Sequence, residues 1–146
     1  MAAKFKSAVH LLIIQDEKIL LLRRYNTGYE DGNYSVVAGH LNGGEQIIDA
    51  AIREAKEEVG IEIQEEDVEI VQMMHRIAES ERIDFFVTVA SWQGEIVNNE
   101  PDKCDDLSWF PLDQLPENTI PYVWQAIRNY HNDIPFSSFG WEERQL

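Results

Sequence analysis

The sequence predicts an α/β fold in which a mixed β-sheet is sandwiched between α-helices. Runs of aliphatic and β-branched residues recur along the chain and are separated by polar turn segments. Two segments have helical periodicity, one in the middle of the chain and one near its C-terminus. The length of 146 residues suits one buried core and is too short for two ordinary domains. We therefore expect one domain spanning residues 1–146.

The first half of the chain begins with a predicted β-hairpin. Ser7–Ile14 and Lys18–Arg23 are apolar runs joined by a short polar turn. Residues 26–33, NTGYEDGN, are rich in turn formers and predict a loop. Residues 34–38 then predict a short strand that leads the chain to Gly39.

A central helix is predicted from about Gly44 to Val59, and it ends near Gly60 because glycine is favoured just after a helix. At helical spacing its apolar residues share an arc about 100° wide. They are Ile48, Ala51, Ile52, Ala55 and Val59. Three carboxylates share a neighbouring arc, and they are Glu54, Glu57 and Glu58. The helix should therefore bury one face and present an acidic face in a fixed direction.

The second half of the chain is predicted to contain further strands and one helix. The strands are Val68–Ala78, Ile83–Trp92 and Leu107–Phe110. The acidic segment 95–106 predicts a loop. Pro121 predicts the start of a helix that runs to Asn132, since proline is preorganised for the first helical turn. The pattern assigns no element to residues 134–146.

The charge balance excludes some classes of partner. The chain has 27 acidic and 12 basic residues and a net charge of −15. That charge disfavours nonspecific binding to nucleic acid or to an anionic membrane surface. A phosphorylated small molecule would also be repelled unless metal ions neutralised the acidic residues around it. We therefore expect a small-molecule partner, with neither nucleic acid nor a membrane.

The single cysteine, Cys104, cannot form an internal disulfide bond, so we expect a reduced structural thiol.

The apolar run from Ala8 to Ile14 is interrupted by His10 and is followed at once by polar residues. It suits a buried strand better than a signal peptide or a membrane span. These features predict a cytoplasmic protein.

The acidic face of the central helix suggests a metal site. Like charges three and four residues apart weaken a helix unless a counter-ion binds. Magnesium takes oxygen ligands and suits such a cluster. Arg53 lies four residues before Glu57 and is close enough to orient its carboxylate. Gly43 and Gly44 let the chain turn into the helix, and Glu45 lies at that turn.

Residues 39–61, GHLNGGEQIIDAAIREAKEEVGI, follow the pattern G-x5-E-x7-R-E-U-x-E-E-x-G-U without a gap. On this motif the chain resembles the Nudix (MutT-type) family. Outside the motif, the segments LLRRYNTGYEDGNY and EPDKCDDLSWFPLDQLP resemble those of small bacterial members of that family. The matching positions are Gly39, Glu45, Arg53, Glu54, Glu57, Glu58, Gly60 and Ile61. Val37-Ala38 stands where a Pro-Gly pair usually precedes the motif, and Asn42 replaces a frequent glutamate. These departures bear on the loop path and leave the glutamate cluster intact.

The resemblance implies the Nudix fold and magnesium-dependent hydrolysis of a pyrophosphate bond in a nucleoside diphosphate linked to a group X. Manganese is a candidate substitute for magnesium. The implied catalytic residues are Arg53, Glu54, Glu57 and Glu58. The three glutamates would bind the metal, the Gly39 carbonyl is a further candidate ligand, and Glu45 would support them. The general base is left open between Glu54 and a carboxylate of the later loop, Glu100 or Asp105.

Nucleoside and deoxynucleoside triphosphates are the leading substrate class, because the chain is short and shows no extra domain for a larger leaving group. Nucleotide sugars such as ADP-ribose are the enzymatic alternative. A nucleotide-sensing module without turnover is the non-enzymatic one. A homodimer is also left open.

Three residues outside the glutamate cluster are candidate substrate contacts: Arg24, Tyr29 and His40. Arg24 ends the second predicted strand, where a guanidinium could bind phosphate or could simply be solvated. Aromatic rings at loop or strand-end positions could stack on a base. They are Tyr25, Tyr29, Phe85 and Trp109.

Overall fold

Eight strands and two α-helices lie within residues 1–142, the part of the chain that the computed structural model describes. The strands are β1 (Lys6–Gln15), β2 (Lys18–Arg24), β3 (Tyr34–Ser35), β4 (Val37–His40), β5 (Val68–Ile77), β6 (Glu81–Val89), β7 (Cys104–Pro111) and β8 (Phe136–Phe139). The helices are α1 (Ile47–Val59) and α2 (Pro121–His131), with a 3-10 turn at Glu65–Asp67. None of the helices in these residues is long and apolar enough to cross a membrane.

The strands form a mixed sheet in which β1 is central. β1 pairs antiparallel with β4 on one side and parallel with β6 on the other. β6 continues to β5 and β5 to β8. At its end β1 turns into β2, which pairs antiparallel with both β3 and β7. The predicted mixed sheet is confirmed.

The two helices pack on opposite faces of this sheet. Side chains alternate between faces along a strand, so neighbouring residues of β1 enter different cores. Val9, Leu11 and Ile13 belong to the core that contains Ala50, Ala51 and Ala55 of α1. Leu12 belongs to the core that contains Val123, Ala126 and Ile127 of α2. The sandwich of helix, sheet and helix is therefore as predicted.

Several element boundaries differ from the predictions. α1 begins at Ile47 and not at Gly44, because Gly44 has φ 78° and cannot lie in a right-handed helix. The strand predicted at residues 34–38 is split into β3 and β4, which pair with different partners. β6 covers Glu81–Val89, so it begins and ends before the predicted limits.

The C-terminal half also contains more strand than predicted. β7 begins at Cys104, inside the segment predicted as an acidic loop. β8, which the sequence pattern did not assign, adds in parallel to β5. The last four residues of the predicted domain, 143–146, lie outside the described residues.

Candidate active site

The turn before α1 and the glycine after it set the limits of the acidic helix. Glu45 accepts a hydrogen bond from the backbone N–H of Asn42 at 3.0 Å, which closes the turn. Gly60 ends the helix with φ 74°, a left-handed conformation that favours glycine, and its N–H donates to the Lys56 carbonyl. The glutamates of α1 are thus carried on a helix of defined length.

Gly39 on β4 lies directly against Glu54 on α1. A Cβ atom added at Gly39 would overlap the Glu54 carboxyl group. Glu54 is buried, and α1 packs on β4 through this close approach. The first glycine of the sequence motif is therefore needed to make room for a carboxylate.

Arg53 organises the carboxylates around it. It donates two hydrogen bonds to Glu45, at 2.7 and 2.9 Å, and one to Glu54 at 2.6 Å. It also reaches Glu57 at 3.3 Å and the backbone carbonyl of His40 at 3.1 Å. The hydrogen bonds from Arg53 lower the pKa of Glu45 to about 2, so this carboxylate is ionised at neutral pH. The predicted approach of Arg53 to Glu57 is observed.

Glu58 has the most unusual environment of the three helix carboxylates. Burial raises its pKa well above the ordinary value, and the nearby carboxylates of Glu54 and Glu100 raise it further. The backbone N–H of Ala38 opposes this rise. Its buried Oε2 atom has no hydrogen-bond partner within the described residues. Glu57, in contrast, is 54% exposed. This site therefore favours a group that brings positive charge and accepts oxygen ligands.

A magnesium ion fits the donor set, which consists of hard oxygen atoms and includes the unpartnered Glu58 Oε2. Within residues 1–142, however, no three acidic, histidine or cysteine side chains are arranged as a complete metal cluster. Arg53 occupies oxygens of both Glu54 and Glu57. Because magnesium is usually held by one or two carboxylates together with substrate phosphates and water, an incomplete protein cage is compatible with it.

A cavity of about 620 Å³ opens beside these glutamates. Its wall carries the acidic groups Glu54, Glu57, Glu58 and Glu100, together with Gly39 and His40. The wall also carries the basic groups Arg24, Arg76, Arg82 and Lys103. A volume of this size suits a small-molecule ligand. The cavity therefore combines negative and positive groups around one ligand-sized space.

All three predicted substrate contacts line the cavity. Arg24 donates to the Tyr29 carbonyl at 2.6 Å and to the Thr27 hydroxyl at 3.0 Å, so its guanidinium holds the loop that carries Tyr29. Within the same loop Asp31 accepts hydrogen bonds from Thr27, which lower its pKa. His40 lies at the cavity edge, and partial burial lowers its pKa.

Other predicted residues are not brought to the cavity. Asp105 does not line it, because Arg23 binds its carboxylate at 2.7 Å. Glu100 does line it, so the two candidate bases of the later loop are separated. Three of the aromatic candidates, Tyr25, Phe85 and Trp109, are also absent from its wall. Trp109 instead packs against the core and stacks on another tryptophan.

Asp84 is a buried polar group that the sequence reasoning missed, and its partners His10 and Arg76 line the cavity. Asp84 is 0% exposed, accepts from Arg76 Nε at 2.7 Å and lies 3.2 Å from His10 Nε2. Burial alone would raise the pKa of Asp84, but these two partners hold it below its ordinary value. The Arg76 guanidinium also stacks on the Tyr122 ring at 3.7 Å. Charged residues inside otherwise apolar strands were the signal that could have indicated this group.

Comparisons with known proteins agree with this geometry. A NUDIX domain family model matches residues 4–130. The NAD-capped RNA hydrolase NudC of Pseudomonas aeruginosa is 33% identical over 107 residues, which cover 73% of this chain and 36% of NudC. The chain thus spans little more than a third of the length of this relative.

Solved structures show the same fold. A MutT NUDIX hydrolase from Burkholderia pseudomallei superposes with a TM-score of 0.79 at 24% sequence identity, covering 86% of this chain and 98% of that one. A NUDIX hydrolase from Nitrosomonas europaea superposes with a TM-score of 0.69 at 26% identity, covering 91% and 93%. The family match over most of the chain, the shared fold and the uninterrupted glutamate motif show together that this protein belongs to the Nudix family of hydrolases.

Proposed function

We propose that this protein hydrolyses a pyrophosphate bond in a nucleoside diphosphate linked to a group X, with magnesium as its metal and manganese as a substitute. The observation that carries the proposal is the cluster of Glu54, Glu57 and Glu58 beside a cavity of about 620 Å³. Nucleoside and deoxynucleoside triphosphates are the proposed substrates.

Glu54, Glu57 and Glu58 are the proposed metal ligands, and the Gly39 carbonyl is a further one. When bound, the metal would neutralise phosphate charge and lower the pKa of the attacking water. The unpartnered Oε2 of Glu58 supports this assignment, since a buried carboxylate oxygen without a donor is costly. Gly39 supports it sterically by leaving room for the Glu54 carboxylate.

Arg53 and Glu45 are proposed to position the ligands. Arg53 bridges Glu45 to Glu54 and Glu57, so the ion pair with Glu45 helps to fix the direction of the other two carboxylates. Glu100 is proposed over Asp105 as the candidate base of the later loop, since only Glu100 lines the cavity. Glu54 remains the other candidate for this role.

Arg24, Tyr29 and His40 are the proposed substrate contacts, because all three line the cavity away from the buried core. A guanidinium suits phosphate, and a tyrosine ring suits stacking on a base. The proposed partner is a small-molecule nucleotide substrate, and the reaction as proposed involves neither nucleic acid nor a membrane. We further propose that residues 1–146 act as one domain in the cytoplasm, and a homodimer is the candidate assembly.

A second candidate substrate class is a nucleoside diphosphate joined to a larger group. It is favoured by the similarity to NudC, which is named for action on NAD-capped RNA. NAD contains a pyrophosphate bond between two nucleosides. Nucleotide sugars of the ADP-ribose type belong to the same broad class.

A hydrolysis screen tests the proposal. The purified protein is incubated with magnesium and with triphosphates, dinucleoside polyphosphates, NAD and nucleotide sugars, and products are separated by chromatography. Glu57→Gln should lower turnover of the best substrate by about a hundredfold, because one negatively charged ligand is lost. Glu62→Gln, on an exposed surface outside the cavity, is the matched control. Equal turnover in Glu57→Gln and the wild type would overturn the metal assignment.

A further inference from the structure

Two arginines face each other across neighbouring strands in the cavity wall. Arg76 on β5 and Arg82 on β6 are direct partners in the sheet register, and both line the cavity. Directly opposite residues have Cβ atoms about 5 Å apart, and like charges in such pairs are destabilising. The pair is therefore unfavourable for the sheet unless negative charge is supplied nearby.

Asp84 supplies only part of that charge. Its carboxylate accepts from Arg76 Nε at 2.7 Å and also lies against His10. Arg82 has no ion-pair partner within residues 1–142, and its buried Nε atom has no hydrogen-bond partner there. An unsatisfied buried donor is costly, and a charged one more so. One donor in this wall is therefore left without a partner among residues 1–142.

Arg76 is positioned so that it too can donate hydrogen bonds to a ligand in the cavity. It is 5% exposed, with one face of its guanidinium on the Tyr122 ring and its Nε bound to Asp84. The residue also lines the cavity, next to Arg82 in the sheet register. Because Asp84 and Tyr122 fix the side chain, little conformational entropy is lost when a ligand binds.

The charge distribution places this pair apart from the glutamates. β4, β1 and β6 are successive strands about 4.8 Å apart, and Arg82 pairs with Lys6, two residues along β1 from the Ala8 that pairs with His40. The Cα atom of Arg82 therefore lies roughly 12 Å from that of His40. In a chain of net charge −15, four of the 12 lysines and arginines nevertheless line this one cavity. The cavity has an acidic part suited to metal and a basic part suited to an anion.

We propose that Arg76 and Arg82 form an anion subsite that selects substrates in which X carries phosphate. The inference rests on the proposed hydrolysis of a nucleoside diphosphate linked to X. A phosphate of X would accept hydrogen bonds from both guanidiniums while the glutamates and their metal hold the scissile diphosphate. A neutral sugar as X would leave Arg82 unpaired. The two arginines are thus specificity-determining residues for the leaving group.

A binding experiment tests the subsite without requiring turnover. Protein with ¹⁵N-labelled arginine is titrated with inorganic phosphate in chelator at constant ionic strength, and the arginine Nε–H signals are followed. The signals of Arg76 and Arg82 should shift saturably, and that of exposed Arg128 outside the cavity should not. Arg82→Gln should weaken phosphate binding about tenfold or more, whereas Arg82→Lys, which keeps the charge, should recover part of it.

Arg82 is the residue to change, because removing Arg76 would take from the buried carboxylate of Asp84 its arginine partner at 2.7 Å and would risk unfolding. Arg128→Gln is the matched control for loss of one positive charge. Equal phosphate affinity in Arg82→Gln and the wild type would overturn the subsite. So would signals of Arg76 and Arg82 that move no more than that of Arg128.

A kinetic experiment tests the selection of X. ATP and ADP-glucose share the ADP group and differ in whether X is phosphate or a neutral sugar. Arg82→Gln should lower kcat/KM for ATP about tenfold and change that for ADP-glucose by less than about twofold. An equal loss for both would show that Arg82 does not select X. If the wild type hydrolyses neither compound nor any other nucleotide, the proposed function fails, while the phosphate titration still decides whether the subsite exists.

Discussion

Gly39 and Glu54 approach so closely that no side chain at position 39 would leave the glutamate where it is. The contact joins β4 to α1, two elements separated by a turn, and it lies at the acidic end of the cavity. Gly39 does not have the left-handed φ of Gly44 or Gly60. Its requirement is for space and not for backbone freedom.

Gly39→Ala is therefore expected to displace the Glu54 carboxylate and to lower turnover by about ten- to a hundredfold, since small errors in ligand position are costly in catalysis. Turnover of the best substrate and thermal unfolding should be measured together. Gly43→Ala is the matched control, because an added Cβ there meets nothing within 4 Å. An unchanged rate for Gly39→Ala would show that the close contact has no catalytic role.

Magnesium should stabilise the folded protein. The clustered carboxylates repel each other until a cation that binds only the native state relieves them, and free magnesium at a hundred times its Kd would add about 2.7 kcal/mol. The melting temperature should rise by several degrees between chelator and millimolar magnesium at matched ionic strength. The rise should be smaller in Glu57→Gln and retained in Glu62→Gln. Identical melting curves with and without magnesium would contradict a preformed site.

Arg24→Ala and Tyr29→Ala are expected to change the order of preference among nucleotides while leaving the magnesium-induced rise in melting temperature intact. Both residues line the cavity, and Arg24 holds the Tyr29 carbonyl at 2.6 Å. Discrimination requires contacts beyond the phosphates that all candidates share. The readout is kcat/KM for at least three substrates.

Arg23→Ala is the control for these two variants, because Arg23 is adjacent in sequence but binds Asp105 and does not line the cavity. If Arg24→Ala and Tyr29→Ala lower kcat/KM by the same factor for every substrate, these residues position phosphate or maintain the fold and do not set specificity.

The Glu45–Arg53 ion pair should make stability depend on pH in acid. The pKa of Glu45 is lowered from an ordinary value of 4.5 to about 2, chiefly by the hydrogen bonds from Arg53. A carboxyl group with a lowered pKa stabilises the native state above its unfolded pKa. That contribution is lost as the pH falls from about 4.5 towards 2. Glu45→Gln should therefore be less stable than the wild type at pH 7, with a difference that shrinks over this range.

Urea unfolding at pH 7, 4.5 and 3 measures the effect. Glu66→Gln is a suitable control, since the exposed Glu66 side chain forms no ion pair within residues 1–142. A difference between Glu45→Gln and the wild type that stayed constant or grew at low pH would mean that the ion pair is not its source.

The sequence was informative wherever the signal is local. The apolar and acidic arcs of α1 follow from helical spacing alone, and the core on this side of the sheet contains Ala51, Ala55 and Val59 of the predicted apolar arc. The glutamate motif identified the family because its spacing is a property of one short segment. The start of α1 was predicted three residues early, since the pattern does not show that Gly44 adopts a positive φ.

The positively charged wall of the cavity could not be predicted in this way. His10 and Asp84 are 74 residues apart in the chain, and Asp105 binds an arginine 82 residues away from it. Only the register of the sheet sets Arg76 opposite Arg82 and brings both beside the cavity. The sequence by itself determined the fold class and the acidic helix, because periodicity and motif spacing act over a few turns of chain. The tertiary structure decided which distant charges share the cavity with that helix, because strand pairing joins residues that no local pattern relates.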